Sequence, residues 1–266
     1  MIKRFFCLVS ISMQSAMAFR LAFVFNLFTP LLLLAGQYML WTALYAQQGG
    51  AAIGNFSKEM MYTYILLSFL ISNILSWKSE NDLSRKIVSG SIVTECVRPF
   101  SFLGQNLADM TGAALLQGLV NFIFVVIIFF IFRSSMVTAP PLNIIFSATS
   151  LILGILIRML LISIVSLLCF TTTSHLGISW TRGVVTEFFS GAVIPISLFP
   201  AALGTFAYYT PFPLMLNIPI AVYLGQSTYY PLHLVFALQI FWIVLLAFLQ
   251  TLCWKRIRRN IIIAGG

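Results

Sequence analysis

Charge is scarce in this sequence. Only 8% of its 266 residues are Asp, Glu, Lys or Arg, against roughly 25% in a soluble domain. So few charges cannot cover a water-facing surface, which excludes an ordinary cytosolic enzyme and a disordered chain. Acidic groups are the rarest, with six Asp and Glu in all. That is too few for a conventional proton relay through a membrane. Cysteine is sparse as well. Cys7, Cys96, Cys169 and Cys253 lie far apart with no CxxC pair, which argues against a disulfide framework and against a zinc site. The two histidines, His175 and His233, fall in different loops with no ligand spacing around them. The phosphate-loop patterns GxxxxGKS and GxxxxGKT are absent, as are HExxH and GxSxG. The chain therefore hydrolyses no nucleotide through such a loop, and neither catalytic nor metal-binding residues are expected in it.

Apolar residues make up 60% of the chain, and the mean hydropathy is +1.01. Lipid is the solvent for most of it. A spanning helix uses about 20 residues, so 266 residues hold about six spans with short loops and leave no room for a separate soluble domain. The expected architecture is all-α integral membrane, one domain over 1–266. Its spans fall at about 21–46, 59–77, 112–132, 142–170, 183–200 and 232–254. Before them, Lys3 and Arg4 precede an apolar run from Phe5 to Met13, then Ala16-Met17-Ala18. A signal peptide has that layout. However, Ser10 and Ser12 interrupt the run, and Arg20 stands directly before a stronger segment. Residues 1–20 fit an interfacial amphipathic helix better, with Phe and Leu in the acyl boundary.

The formal net charge of +9 is unevenly distributed. With the N-terminus inside, Lys3, Arg4, Arg20, Lys78, Arg85, Lys86, Arg98, Arg182 and the tail Lys255, Arg256, Arg258 and Arg259 are all inner. Only Lys58 and Arg133 are outer, and Arg158 lies within span four. Basic residues concentrate on the cytoplasmic side, so both ends are expected in the cytoplasm. Residues 183–231 carry Gly191, Pro195, Pro200, Gly204, Pro211, Pro213, Pro219 and Gly225. No continuous helix holds so many breakers. Span five should end near Pro200, with re-entrant half-helices over 201–231. Irregular backbone at that depth must be buried in protein or line a cavity.

Two intramembrane charges are candidates for function, Arg158 and Glu187. Spans four and five are antiparallel neighbours, so the two can pair as a structural ion pair or contact a substrate. The inner stretch 78–110 is the longest hydrophilic segment, and it mixes charges with Leu83, Ile87, Ile92 and Val93. Those apolar residues fall mostly on one helical side, so the loop can form surface helices that face lipid on one side and a cytosolic partner on the other. Tyr208, Tyr209, Tyr223, Tyr229 and Tyr230 fit an outer aromatic belt.

Three stretches together resemble a known family. The inner loop reads Ile87-Val88-Ser89-Gly90-Ser91-Ile92, then Arg98-Pro99; residues 188–200 read FFSGAVIPISLFP; residues 211–225 read PFPLMLNIPIAVYLG. Their order and spacing on a six-span frame resemble the ABC-2 type transporter permease, specifically the bacterial permease components of about 260 residues. The resemblance implies an N-terminal interfacial helix, six spans, and re-entrant helices between spans five and six. It also implies that a coupling helix between spans two and three docks on a separate ABC ATPase. Two permeases and two ATPases would form the working unit in the bacterial inner membrane, with ATP and Mg on the ATPase and no cofactor in this chain. The related group often pairs two distinct permeases, which favours a heterodimer over two copies. The coupling contact would comprise Asp82, Leu83, Arg85, Lys86, Ile87, Gly90, Ile92, Arg98 and Pro99. Of these, Leu83, Ile87 and Ile92 would fill an ATPase cleft. The pathway region would comprise Ser190, Gly191, Pro195, Pro200, Pro211, Pro219, Tyr223 and Gly225. Transport is expected to be outward. No aromatic ladder marks the spans and no large outer domain is present, which favours a peptide, antibiotic or other amphipathic cargo over a polysaccharide.

Two other readings compete. An ion-coupled secondary transporter also uses broken helices, but no inverted repeat is evident. An integral membrane lipid-modifying enzyme would draw on Glu80, Asp82, Glu95 and Asp109, which lack the regular spacing of metal-dependent phosphotransfer.

Overall fold

The computed structural model describes residues 2–18, 20–74, 77–91, 101–170, 175–226 and 229–258. Among the described residues the chain is helical, with no sheet and one isolated bridge between Ile53 and Phe56. Helices α1 (Ile2–Ala18) and α2 (Arg20–Gln47) lead to α3 (Lys58–Ser72), α4 (Trp77–Val88), α5 (Phe102–Ile131) and α6 (Pro141–Leu167). Then come α7 (His175–Ser190), the short α8 (Ala201–Tyr208) and α9 (Asn217–Tyr223), and α10 (Leu232–Ile257). Three stretches among the described residues are long and apolar enough to cross a bilayer. They are Phe102–Ile131, Pro141–Phe170 and Leu232–Ile257, with mean hydropathies of 2.6, 2.7 and 2.5.

These helices are built inside out relative to a soluble bundle. Helix α10 exposes Phe241, Val244 and Phe248, each more than half exposed, and buries Gln239 and Gln250. Helix α5 exposes Leu119, Phe122 and Phe130 and buries Gln105, Asn106, Gln117 and Asn121. Water does not tolerate apolar faces of that extent. Lipid does, and it forces the polar groups to find partners inside. Gln239 Nε2 donates to Ser150 O at 2.9 Å, Ser150 Oγ at 2.9 Å and Leu214 O at 3.0 Å, tying α10 to α6 and to the turn before α9. Ser163 Oγ accepts from Gln250 Nε2 at 2.6 Å and from Asn106 Nδ2 at 3.0 Å, joining α10, α6 and α5.

Helix α9 sits at the centre of the packing. Leu216, Ile220 and Leu224 meet Met61, Tyr64 and Ile65 of α3. Leu214, Met215, Ile218 and Val222 meet Ile157 and Leu160 of α6 and Val235 of α10. The approach to α6 is close at Gly154, where an added Cβ would stand 2.8 Å from Leu214 O. Helix α1 docks on α5 rather than standing apart. Ser12 Oγ donates to Asp109 O at 2.8 Å, and a Cβ on Gly112 would meet Val9 O at 2.5 Å.

Several helix bounds differ from those read in the sequence. Helix α5 starts at Phe102, ahead of the expected 112, because Ser101 Oγ accepts from Gly104 N at 3.3 Å and caps it. Gln105 and Asn106, which read as loop residues, are buried helix residues. The loop expected to reach 110 therefore ends at Ser101. Helix α3 ends at Ser72, short of Trp77, where the backbone N–H and Nδ2 of Asn73 both bond Phe69 O. Helix α7 starts at His175 rather than near 183, so Trp180, Thr181 and Arg182 are helical and not part of a polar break. It ends at Ser190, well before Pro200.

Candidate functional site

The first candidate surface is α4 with the turn that follows. The helix is strongly two-sided. Leu83, at 4% exposed, and Ile87, at 8%, pack into a cluster with Phe102, Leu167 and Cys169, flanked by Trp254 and Ile257. Leu83 and Ile87, expected to fill a partner's cleft, are buried within this chain. They anchor α4 to the ends of α5, α6 and α10. A period-3.6 stripe identifies one face of a helix, but not whether that face is covered by the same chain. The opposite side carries Arg85, Val88, Ser89 and Ser91, all exposed. Asp82 bonds Arg85 at 2.6 Å and Lys86 at 2.8 Å, and Lys86 also reaches Asp109 at 3.4 Å. Burial alone would raise the Asp82 carboxyl, but Lys86 and Arg85 outweigh it and hold the group below its ordinary value. Gly90 ends the helix at φ +73°, and its N–H bonds Ile87 O at 3.2 Å. A left-handed glycine is a common helix stop. Ile92, Arg98 and Pro99 lie outside the described residues.

The second candidate region is the break between α7 and α9. Gly191 has φ +85°, so the helix stops there and not at a proline. Tyr64 Oη donates to Gly191 O at 2.6 Å, and Ser68 Oγ donates to Ala192 O at 3.1 Å. Asn217 Oδ1 accepts from Tyr64 Oη at 3.2 Å and from Ile196 N at 3.3 Å. This buried node satisfies backbone groups that the break releases. Ser190 is buried, with its Oγ bonded to Glu187 O at 3.3 Å. Pro195 and Pro200 precede a 3-10 turn over Ile196–Leu198 and α8 respectively. Pro211 and Pro219 are buried, and Pro219 O accepts from Ser147 Oγ at 2.8 Å. Tyr223 and Gly225 close α9 at the end of the bundle opposite α4. At that end Tyr208 stacks on Tyr229 with centroids 4.7 Å apart, and Tyr230 stands edge-on to Tyr229 at 4.9 Å.

Arg158 and Glu187 border one small cavity, together with Ile71, Ser72, Thr186 and Ser190. Arg158 Nη1 donates to Ile71 O at 3.4 Å and Ser72 O at 3.1 Å. Arginine thus caps the C-terminal carbonyls of α3 inside the bundle, where a cation complements the helix dipole. The sequence pointed to Arg158 but not to this partner, because the abrupt end of α3 is set by packing. Tyr64, Asn217 and Gln239 were also missed. Asn217 and Gln239 are lone polar residues in apolar stretches, and that is the signal that marks them; Tyr64, beside Tyr62 and Thr63, carries no such signal.

A family profile described as "ABC-2 family transporter protein" matches residues 31–265. The chain belongs to the ABC-2 transporter family. It is an ABC-2 type permease, a multi-pass membrane component of a transport system and not itself catalytic. Permeases of this family associate in general with ABC ATPase partners. No curated protein matches the chain.

Proposed function

We propose that this permease is the membrane-spanning subunit of an ATP-driven exporter, coupled to separate ATPase subunits through the segment between α3 and α5. One observation carries the docking assignment: α4 buries Leu83 and Ile87 in the permease while leaving Arg85, Val88, Ser89 and Ser91 exposed. A helix anchored on the ends of three long helices passes a push on its outer side directly to them. The contact is Arg85, Val88, Ser89, Gly90 and Ser91, joined by Ile92, Arg98 and Pro99, with Asp82 and Lys86 fixing the pose of Arg85.

In this reading α2, α3, α5, α6, α7 and α10 are six spans, and α8 and α9 are re-entrant. The α4 end is cytoplasmic, as are both termini, in a bacterial inner membrane. Lys and Arg crowd that end, and tyrosines ring the other, as basic residues and aromatic belts sort across a bilayer. Helix α1 lies at the interface with Phe6 and Ile11 outward, at 65% and 55% exposed. The exposed face of α7 carries Trp180, Val184 and Val185, and in this reading a second permease, a copy or a distinct chain, lies across the translocation path from it. ATP and Mg reside on the ATPase, whose closure shifts the two permeases between inward and outward states.

The test is a mild-detergent pull-down of the tagged chain with mass spectrometry, repeated for R85E and for Val88→Asp. The expected result is an ATPase subunit with wild type and its loss with either variant, while the variants keep wild-type thermal midpoints. A chain that purifies alone and transports without ATP would overturn the exporter reading. Unchanged ATPase recovery in both variants would overturn the docking assignment.

A further inference from the structure

A cavity of about 600 Å3 opens between α6 and α7, in the half of the bundle nearer α4. Its wall is apolar, formed by Leu161, Val165, Ile178, Val185 and Phe212, and three polar residues of α7 line it, Thr181, Arg182 and Thr186. The Thr181 hydroxyl bonds Gly177 O at 2.9 Å, while Arg182 and Thr186 stand four residues apart and so share one helix face. Arg182 is 7% exposed and Thr186 is 6% exposed. The Thr186 hydroxyl is buried and has no hydrogen-bond partner. In lipid, an unmet hydroxyl is costly, and a cavity that leaves one unmet is shaped for a molecule that would meet it. Arginine carries five donors in a planar fork that fits carboxylate and phosphate oxygens. The volume lies within the roughly 300–1,000 Å3 of small-molecule sites. An apolar wall with one fixed cation at its edge complements a molecule with an apolar body and an anionic head.

We propose that this cavity binds a single-chain anionic amphiphile. Its phosphate or carboxylate sits on Arg182 and Thr186, and its chain lies against Leu161, Val165, Val185 and Phe212. The proposal rests on the exporter reading for one clause only, that this amphiphile is the cargo, taken from the leaflet on the α4 side. Thr186 also borders the small cavity that holds Arg158 and Glu187, so a headgroup on Thr186 stands next to the charged cluster at the α7 break.

The test uses the full chain in phosphatidylcholine nanodiscs and a diazirine-bearing dodecyl phosphate as probe, with the crosslinked peptides mapped by mass spectrometry. Labelling is expected on 161–168 or 181–186. Unlabelled dodecyl phosphate should compete, whereas dodecanol, dodecyltrimethylammonium and inorganic phosphate should not. R182Q should weaken apparent affinity at least about tenfold, the scale of a hydrogen bond to a charged group. Thr186→Val should weaken it a few-fold, and Val185→Trp should block labelling while leaving the charge in place. Equal competition by the cationic amphiphile, labelling confined to other segments, or an unchanged affinity in R182Q would overturn the site. If R182Q does not fold, Val185→Trp and the headgroup series decide. Reconstitution with the ATPase separates the two claims. Export of some other cargo without anion binding sinks the site and leaves the exporter. Binding of dodecyl phosphate without its ATP-driven movement overturns its role as cargo.

Discussion

Replacing Gly191 by alanine tests the account of the α7 break most directly. Two costs are expected. Alanine at φ +85° enters the left-handed region, which costs about 1–2 kcal/mol for an L-residue. The new Cβ would also stand 2.8 Å from Tyr64 Oη and 3.2 Å from Asn217 Oδ1. Tyr64 must then withdraw, weakening its 2.6 Å bond to Gly191 O, and a buried polar group left unmet costs about 1–3 kcal/mol. Together the loss is about 2–5 kcal/mol, or a fall of roughly 4–20 °C in unfolding midpoint for a chain of this size. The assay is the thermal midpoint in nanodiscs of four proteins: wild type, Gly191→Ala, Tyr64→Phe and the double variant. Phenylalanine removes the closest clashing oxygen, so in that background alanine should cost the backbone term and the milder 3.2 Å contact with Asn217. The cycle should therefore be non-additive by at least about 1 kcal/mol, as expected for groups in contact. A neutral Gly191→Ala, or strict additivity, would refute the claim that this glycine and this tyrosine jointly set the break.

Further outcomes follow from other contacts. Gly112→Leu should evict α1 from α5, since its Cβ position is already 2.5 Å from Val9 O; a cysteine placed at buried Val9 should then become reactive to maleimide. Gln239→Leu removes the contacts that its two amide hydrogens share among Ser150 O, Ser150 Oγ and Leu214 O and should cost about 1 kcal/mol, since such bonds in membranes average about 0.6 kcal/mol each; an unchanged midpoint would show that α10 is held by packing alone. Arg158→Leu should fray the end of α3, read as faster hydrogen exchange at Ile71 to Asn73 with α10 unaffected. The Asp82 carboxyl lies below its ordinary value in the folded chain. Its pairing therefore stabilises α4 above the ordinary carboxylate range and is lost as pH falls through the lowered value. A probe on Val88→Cys should report α4 loosening only as pH falls below the ordinary carboxylate range, and Asp82→Asn should abolish that transition.

Composition alone determined that this is a helical membrane chain, because 8% charge and 60% apolar residues admit no water-covered surface. The crowding of glycine and proline after Phe188 likewise marked an interrupted segment without any structure. The sequence did not decide which breaker acts. Gly191 stops α7 because Tyr64 and Asn217, far away in the chain, meet the freed backbone, while Pro195 and Pro200 start the next elements. Nor did it decide where apolar residues point. Leu83 and Ile87 sit in the chain's own core, while Phe241 and Phe248 face outward. Periodicity groups residues onto a face, but in a membrane both the protein interior and the lipid accept that face. Only the tertiary packing chooses between them. The same holds for Arg158, Arg182 and Thr186, whose partners and cavities exist only once α3, α6 and α7 are packed together.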